Sequence, residues 1–358
     1  MKKCALVVAT AALLLAQGPP PGPDMNIDAA ARNAVIDAAI QALNDGYVFP
    51  EIAKKMEQAI RERQRRNEYD SITSARTFAE TLTANLQDVS HDKHLRVFYS
   101  AEPVPPDREG GKPSPEQIER MRQFGARINF GFEKLERLSG NIGYLDLRGF
   151  APPEFMGDTA AAAMNFLANA EAVIIDVRQN GGGDPAGVAL VSSYLFGAEP
   201  VHLNDLYWRK GNETHQWWTL PYVPGKRLAA KDVYVLTSHR TFSAAEEFTY
   251  NLKNLKRATI VGEVTGGGAN PGGGRRLSEH FAMFVPMGRA INPISKTNWE
   301  GTGVAPDVSV PADKALNTAH LMALEKELPG VKEPPLKSAI GQEIEKLKAQ
   351  LGEGKGTR

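Results

Sequence analysis

Apolar positions recur at helical spacing near the N-terminus and at strand spacing further on, so two textures divide the chain. Ala30, Val35, Ile36, Ala39, Ile40 and Leu43 share one face of a 3.6-residue period, with Asp28 or Asn26 placed to cap it. Gly46-Tyr47-Val48-Phe49-Pro50 breaks that helix. Ile52, Met56 and Ile60 continue on a second, and Phe78, Leu82 and Leu86 mark a third. This pattern predicts a small helical domain over 26–100, closed by a strand at Leu95–Tyr99. Residues 101–115 are rich in Pro and Gly and read as an exposed linker. Ser114-Pro115-Glu116-Gln117 then carries a helix start, with a capping Ser, Pro at N1 and Gln at N3.

From residue 129 strand-like runs alternate with helix-like ones. The strands are 142–145, 172–175, 233–236, 259–261 and 281–285; the helices are 159–170, 185–196, 243–255 and 312–327. Such alternation predicts an α/β layer architecture over 129–328, reached through a connector at 101–128. The tail 329–358 is polar, with Ile340, Ile344, Leu347 and Leu351 forming the stripe of a docking helix. No internal repeat is visible.

Composition narrows the possible partners. The 358 residues hold 42 Lys+Arg against 42 Asp+Glu, a formal net charge of zero. No global basic field exists to recruit nucleic acid or an anionic membrane. The N-terminus reads as a targeting segment: Lys2 and Lys3 precede an apolar run from Ala5 to Ala16, with small residues around Ala16-Gln17-Gly18. That run is short for a bilayer span. Residues 1–18 are expected to be a signal peptide and 19–25 a Pro-rich tether. Cys4 is the only cysteine, and cleavage would remove it. The mature chain would have no thiol nucleophile, no disulfide and no cysteine metal ligand. No integral membrane segment is expected to remain, and the exported chain would sit in a periplasm or outside the cell.

Candidate chemistry is concentrated in four places. At 233–250 an apolar strand runs into a polar turn, and Ser243 stands at the mouth of a helix. A serine there can be an exposed nucleophile, with helix N–H groups to hold an oxyanion. Ser243-Ala-Ala-Glu246 is equally a capping box, a purely structural device. At 172–187 a buried strand ends in Asp176 and a loop runs through Gly181-Gly182-Gly183 to a helix opening at Asp184-Pro185. The glycines fit an oxyanion loop or a tight turn. A dinucleotide fingerprint is weak, because no acidic strand end follows about 20 residues on. A phosphate loop fails for want of Gly-Lys-Ser/Thr. The third place is Ser90-His91-Asp92-Lys93-His94, a polar turn with two of the seven histidines. Histidine is the usual base for a serine nucleophile. Its neighbour His239 is the obvious alternative by proximity. The spacing of His91 and His94 is no metal signature without a third ligand, and neither metal nor cofactor is expected. The fourth is the Gly-flanked turn Asn298-Trp299-Glu300-Gly301, whose carboxylate can orient a histidine or simply face solvent.

Seven stretches, in this order, resemble one family. They are DKHLRV (92–97), NFGF (129–132), GNIGYLDLRGF (140–150), DVRQNGGG (176–183), LTSHRTFSAAEEF (236–248), VGEVTGGGAN (261–270) and NWEGTGVAPDVSVP (298–311). The chain is similar, over about 30–325, to the C-terminal processing (tail-specific) serine peptidases. The likeness is closer to the branch of the tricorn core and interphotoreceptor retinoid-binding protein. The resemblance implies a crotonase-like α/β catalytic domain of β-β-α units behind a small helical N-terminal domain. It implies Ser243 as nucleophile, His94 as general base and Glu300 as the supporting carboxylate. The oxyanion donors would be the N–H groups of Ala244 and of a glycine in the loop, Gly181 or Gly182. Protein or peptide substrates follow from it.

Two departures from the family matter. Many relatives use a lysine base in a T-x-G-K-G turn, whereas here the turn is Thr265-Gly266-Gly267-Gly268-Ala269 and glycine stands in the lysine slot. The connector is also too short for a PDZ module of roughly 80–100 residues. Two functions remain open at this point: an exported serine peptidase, or a carrier of an apolar ligand such as a retinoid or fatty acid on the same fold. Retention of all three catalytic residue types favours the peptidase.

Overall fold

The computed structural model describes residues 22–107 and 114–352. The predicted signal peptide and the first three residues of the tether, 19–21, lie outside those residues. In chain order the helices are α1 (Ala29–Gly46), α2 (Pro50–Arg65), α3 (Ala75–Ser90), α4 (Pro115–Arg127), α5 (Pro153–Leu167), α6 (Pro185–Tyr194), α7 (Ala244–Asn254), α8 (Ala315–Glu327) and α9 (Pro334–Leu351). The strands are β1 (Arg96–Tyr99), β2 (Phe132–Leu138), β3 (Ile142–Leu147), β4 (Ala172–Asp176), β5 (His202–Trp208), β6 (Glu213–Trp218), β7 (Asp232–Thr237), β8 (Thr259–Gly262), β9 (Gly272–Arg276), β10 (Phe281–Pro286), β11 (Gly288–Ile291) and β12 (Val308–Ser309). No described helix is long and apolar enough to cross a membrane.

The chain forms two compact units that interleave in sequence. Among the described residues, one gathers 22–107, 114–118, 205–215 and 268–291; the other holds 119–204, 216–267 and 292–352. In the first, α1–α3 carry the predicted apolar faces. Val35, Ile36, Ile40, Leu43, Met56, Ile60, Phe78, Leu82 and Leu86 are all buried together. Asp28 caps α1 through the Ala31 N–H, and Ser74 caps α3 through Thr77. The helices bury this face against β10, whose alternate residues Phe281, Met283 and Val285 enter the same core. β10 pairs antiparallel with β1 on one side and β9 on the other. The strand at 281–285, read in sequence as part of the α/β stretch, thus packs with the helical unit.

The second unit is built on a six-stranded sheet in the order β12-β8-β7-β4-β3-β2. β2 and β3 are antiparallel; every other neighbouring pair is parallel. Period-2 alternation splits its residues between two cores. Leu145, Val173, Ile175, Val233, Val235 and Ile260 pack with α5, α6 and α7. Tyr144, Ile174, Tyr234, Leu236 and Val261 pack with α8 and α9 on the other face. Burial on both faces explains why β4 and β7 read as nearly continuous apolar runs. The tail stripe is realised: Ile340, Ile344 and Leu347 of α9 are buried in that second core. The architecture is the expected α/β layer fold with a helical N-terminal region. The connector holds α4, opened by Ser114 as expected: its Oγ accepts from Gln117 N and its own N–H donates to the Gln117 side chain. No PDZ module is present among the described residues.

Candidate active site

The parallel strands β4 and β7 are neighbours, and both release the chain at their C-terminal ends into the loops of interest. In an open α/β sheet this edge is where ligands meet backbone groups. After β7, Thr241 Oγ1 donates to Val177 O and Ser238 Oγ to Arg178 O, at 2.9 and 2.6 Å. Phe242 N donates to Asn180 O at 3.0 Å. These bonds stitch the serine turn to the glycine loop. Asp176, buried at the end of β4, accepts from Tyr144 Oη and Arg178 and anchors the other side.

Ser243 sits at the N-cap of α7 with φ 56° and ψ −123°. Positive φ in a residue other than glycine is strained and persists only where the surroundings over-determine it. The serine stands directly before the N-terminus of α7, where the helix dipole favours negative charge. The capping-box reading is also realised in part, because the Glu246 carboxylate accepts the Ser243 N–H at 2.9 Å. Cap and half-buried serine are therefore one structure, not alternatives.

The glycine loop lies directly against this turn. Gly182 has φ 109°, and a Cβ there would fall 2.8 Å from Ser243 Cβ and 2.9 Å from Ala244 N. Only glycine allows that approach. The Gly182 N–H donates to Asn180 Oδ1 at 2.8 Å, and Asn180 Nδ2 in turn donates to Leu147 O. Gly182 is thus engaged as a close-packing residue, its N–H already spent on Asn180. The N–H groups of Gly181 and Ala244 make no hydrogen bond among the described residues.

His94 belongs to the first unit, in the turn between α3 and β1. His91 ends α3 in the left-handed conformation, φ 56°, and is exposed, so its place is that of a helix C-cap. His94 is half-buried, and its ring stacks on Phe284 at 5.8 Å between centroids. Desolvation lowers its pKa to about 4, which leaves the imidazole neutral and able to accept a proton at pH 7. Its backbone is fixed by Asp92, whose Oδ1 accepts the His94 N–H at 3.0 Å. Asp92 is itself buried and takes Tyr47 Oη and Asn270 Nδ2 at 3.2 and 2.9 Å. Burial raises the Asp92 pKa, while these donors oppose the rise. Asp92, Tyr47 and Asn270 were not singled out from sequence. Only the Asp-x-His spacing, which suits an Asx turn, pointed to the first of them.

Glu300, in the second unit, is half-buried in a turn pinned by its neighbours. Its N–H donates to Asn298 Oδ1, Trp299 is buried against Tyr250, and Gly303 N donates to Trp299 O. Gly301 N reaches Gly267 O at 3.1 Å. The other histidines have local roles. His239 is exposed with Nδ1 3.1 Å from Glu263, His320 bonds Ser139 O, and His202 stacks on Trp218.

Comparison with known proteins gives the family. A sequence model of peptidase family S41 matches residues 141–310, and one for the N-terminal domain of Peptidase_S41 in eukaryotic IRBP matches 29–134. The chain belongs to peptidase family S41. Among solved structures, one similar to it is a candidate peptidase from Parabacteroides merdae. That match has 18% identity and a TM-score of 0.59, over 84% of this chain and 99% of the other. A lipoprotein from Streptococcus agalactiae matches at 12% identity and TM-score 0.55, over 86% and 99%. At these identities the structures establish a shared fold and nothing finer. The S41 assignment makes the chain a member of a serine peptidase family acting on proteins or peptides.

Proposed function

We propose that this S41 member is an exported serine peptidase that hydrolyses peptide bonds through an acyl-enzyme on Ser243. The observation that carries the reading is the strained Ser243 turn at the head of α7, with Gly182 packed against it and the N–H groups of Gly181 and Ala244 uncommitted. In the proposed cycle His94 accepts the Ser243 Oγ proton as the oxygen attacks a substrate carbonyl. Gly181 and Ala244 donate to the developing oxyanion. The protonated His94 then gives its proton to the departing amine, and water, activated by the same imidazole, releases the acyl group. Glu300 orients His94 and stabilises the imidazolium. Gly182 serves by allowing close approach. The missing lysine in the 265–269 turn supports a histidine base. Cleavage within chains and trimming near C-termini both suit this chemistry, and export rests on the predicted signal peptide at 1–18.

A peptide library incubated with wild type and with Ser243→Ala tests this. Wild type is expected to cleave a subset of sequences and the variant none. A wild type that cleaves nothing while binding retinol or a fatty acid stoichiometrically would establish the carrier function instead.

A further inference from the structure

Glu246 does more than a capping box requires. Such a box needs one carboxylate oxygen to accept the N-cap N–H. Oε2 does this for Ser243 at 2.9 Å. Oε1 faces a different segment: it accepts Thr265 Oγ1 at 2.5 Å and Gly267 N at 2.6 Å. The side chain is wholly buried, so its charge needs donors such as these.

The segment it grips leads to the Glu300 turn. Thr265 Oγ1, while donating to Glu246, accepts the Val304 N–H at 2.7 Å. Thr265 N donates to Val304 O, and Gly301 N donates to Gly267 O. The turn that carries Glu300 is therefore tied just after it, at residues 301 and 304, each bonded to the segment that Glu246 holds. Every one of these residues lies in the second unit.

We propose that Glu246 is a positioning residue for the peptidase reaction. Its buried carboxylate holds the Ser243 backbone in the positive-φ conformation and locks it in register with the turn that carries Glu300. It touches neither substrate nor reacting atoms. A strained φ/ψ pair must be imposed by its surroundings, and the bond to Ser243 N is the one polar restraint applied to that residue's own amide. The Thr265 and Gly267 bonds make that restraint rigid and extend it to the acid. The inference rests on the peptidase reading above.

Glu246→Gln keeps the shape but has one acceptor oxygen for donors on two sides. Thr265→Val removes both the donor to Glu246 and the acceptor for the Val304 N–H, and Thr265→Ser restores them. Single-turnover acylation, kcat and KM are measured at temperatures where circular dichroism shows each variant folded. Glu246→Gln is expected to lower kcat and the acylation rate on the order of 10²-fold, with KM within about twofold of wild type. Thr265→Val is expected to lose a smaller factor, recovered in Thr265→Ser, and the double variant Glu246→Gln/Thr265→Val to lose less than the product of the two. Should Glu246→Gln fail to fold, Thr265→Val and Thr265→Ser carry the same comparison. Wild-type acylation rates in folded Glu246→Gln or Thr265→Val, or activity that merely tracks the folded fraction, would overturn the role of Glu246. A wild type that does not acylate at all overturns the peptidase reading and this inference with it.

Discussion

Two desolvated ionisable side chains set opposite expectations for pH. His94 has its pKa lowered to about 4 by desolvation, so in its proposed role as base it stays deprotonated well below the usual histidine range. The acid limb of kcat/KM is expected to lie below pH 5; a limb centred near 6.5 would remove His94, in this environment, from the role of base. Glu247, wholly buried one residue beyond Glu246, is pushed up to about 8 chiefly by desolvation, with the nearby polar side chains of Asn204 and Asn251 opposing the rise and the charge of Asp184 adding to it. The folded state then keeps a proton that the unfolded chain releases near pH 4.5. Stability due to this group is full below that value, declines as pH rises toward 8, and is flat beyond, a loss on the order of a few kcal/mol. Urea titrations from pH 5 to 8.5 are expected to show this decline in wild type and a flatter curve in Glu247→Gln. Parallel curves would show that Glu247 is already ionised in the fold.

At the scale of elements, the site depends on two turns held at van der Waals contact. A methyl group at Gly182 would meet Ser243 Cβ and the Ala244 N–H, and φ 109° disfavours any side chain. Gly182→Ala is expected to reduce kcat by on the order of 10²-fold or more, read from initial rates on a cleaved peptide. Activity near wild type would mean the two turns are not pressed together during turnover. What the sequence made legible here follows from physical strength of signal. β3, β4, β7, β8 and β10 are largely runs of buried apolar residues, and their bounds lie within two residues of the apolar runs in the sequence. β9 is Gly-Gly-Gly-Arg-Arg, which has no strand preference of its own and is extended only because β10 pairs with it. β5, β6 and β11 were missed too, being short or partly polar. α5 begins at Pro153, six residues before the periodic run that was read, although Pro at N1 with Glu154 in the first turn was a usable start signal. The capping box was readable, whereas the bond from Glu246 to Thr265 spans 19 residues and leaves no local trace.

For the whole molecule, the linear reading of a helical domain followed by an α/β domain captured the two kinds of architecture but not their interleaving. Residues 268–291 join the first unit because Phe281, Met283 and Val285 complete the core of α1–α3. Long-range pairing of that kind carries no signal in the order of residues. The polar tail, in contrast, announced its apolar stripe, and α9 closes the core on the far face of the sheet from Ser243's helix. Ile344, 5% exposed and packed in that core, is expected to cost about 2–5 kcal/mol when changed to Ala, measured by urea denaturation. The peptidase rate of the folded variant should stay unchanged. A negligible stability loss would mean that α9 docks without contributing to the fold.

If Ser243 is an activated nucleophile, it reacts with a fluorophosphonate probe. Mapped by tandem mass spectrometry, the adduct is expected on Ser243 alone, absent in Ser243→Ala and strongly slowed in His94→Ala and Glu300→Gln. A wild-type protein that takes no probe, or takes it on another serine, would contradict the account.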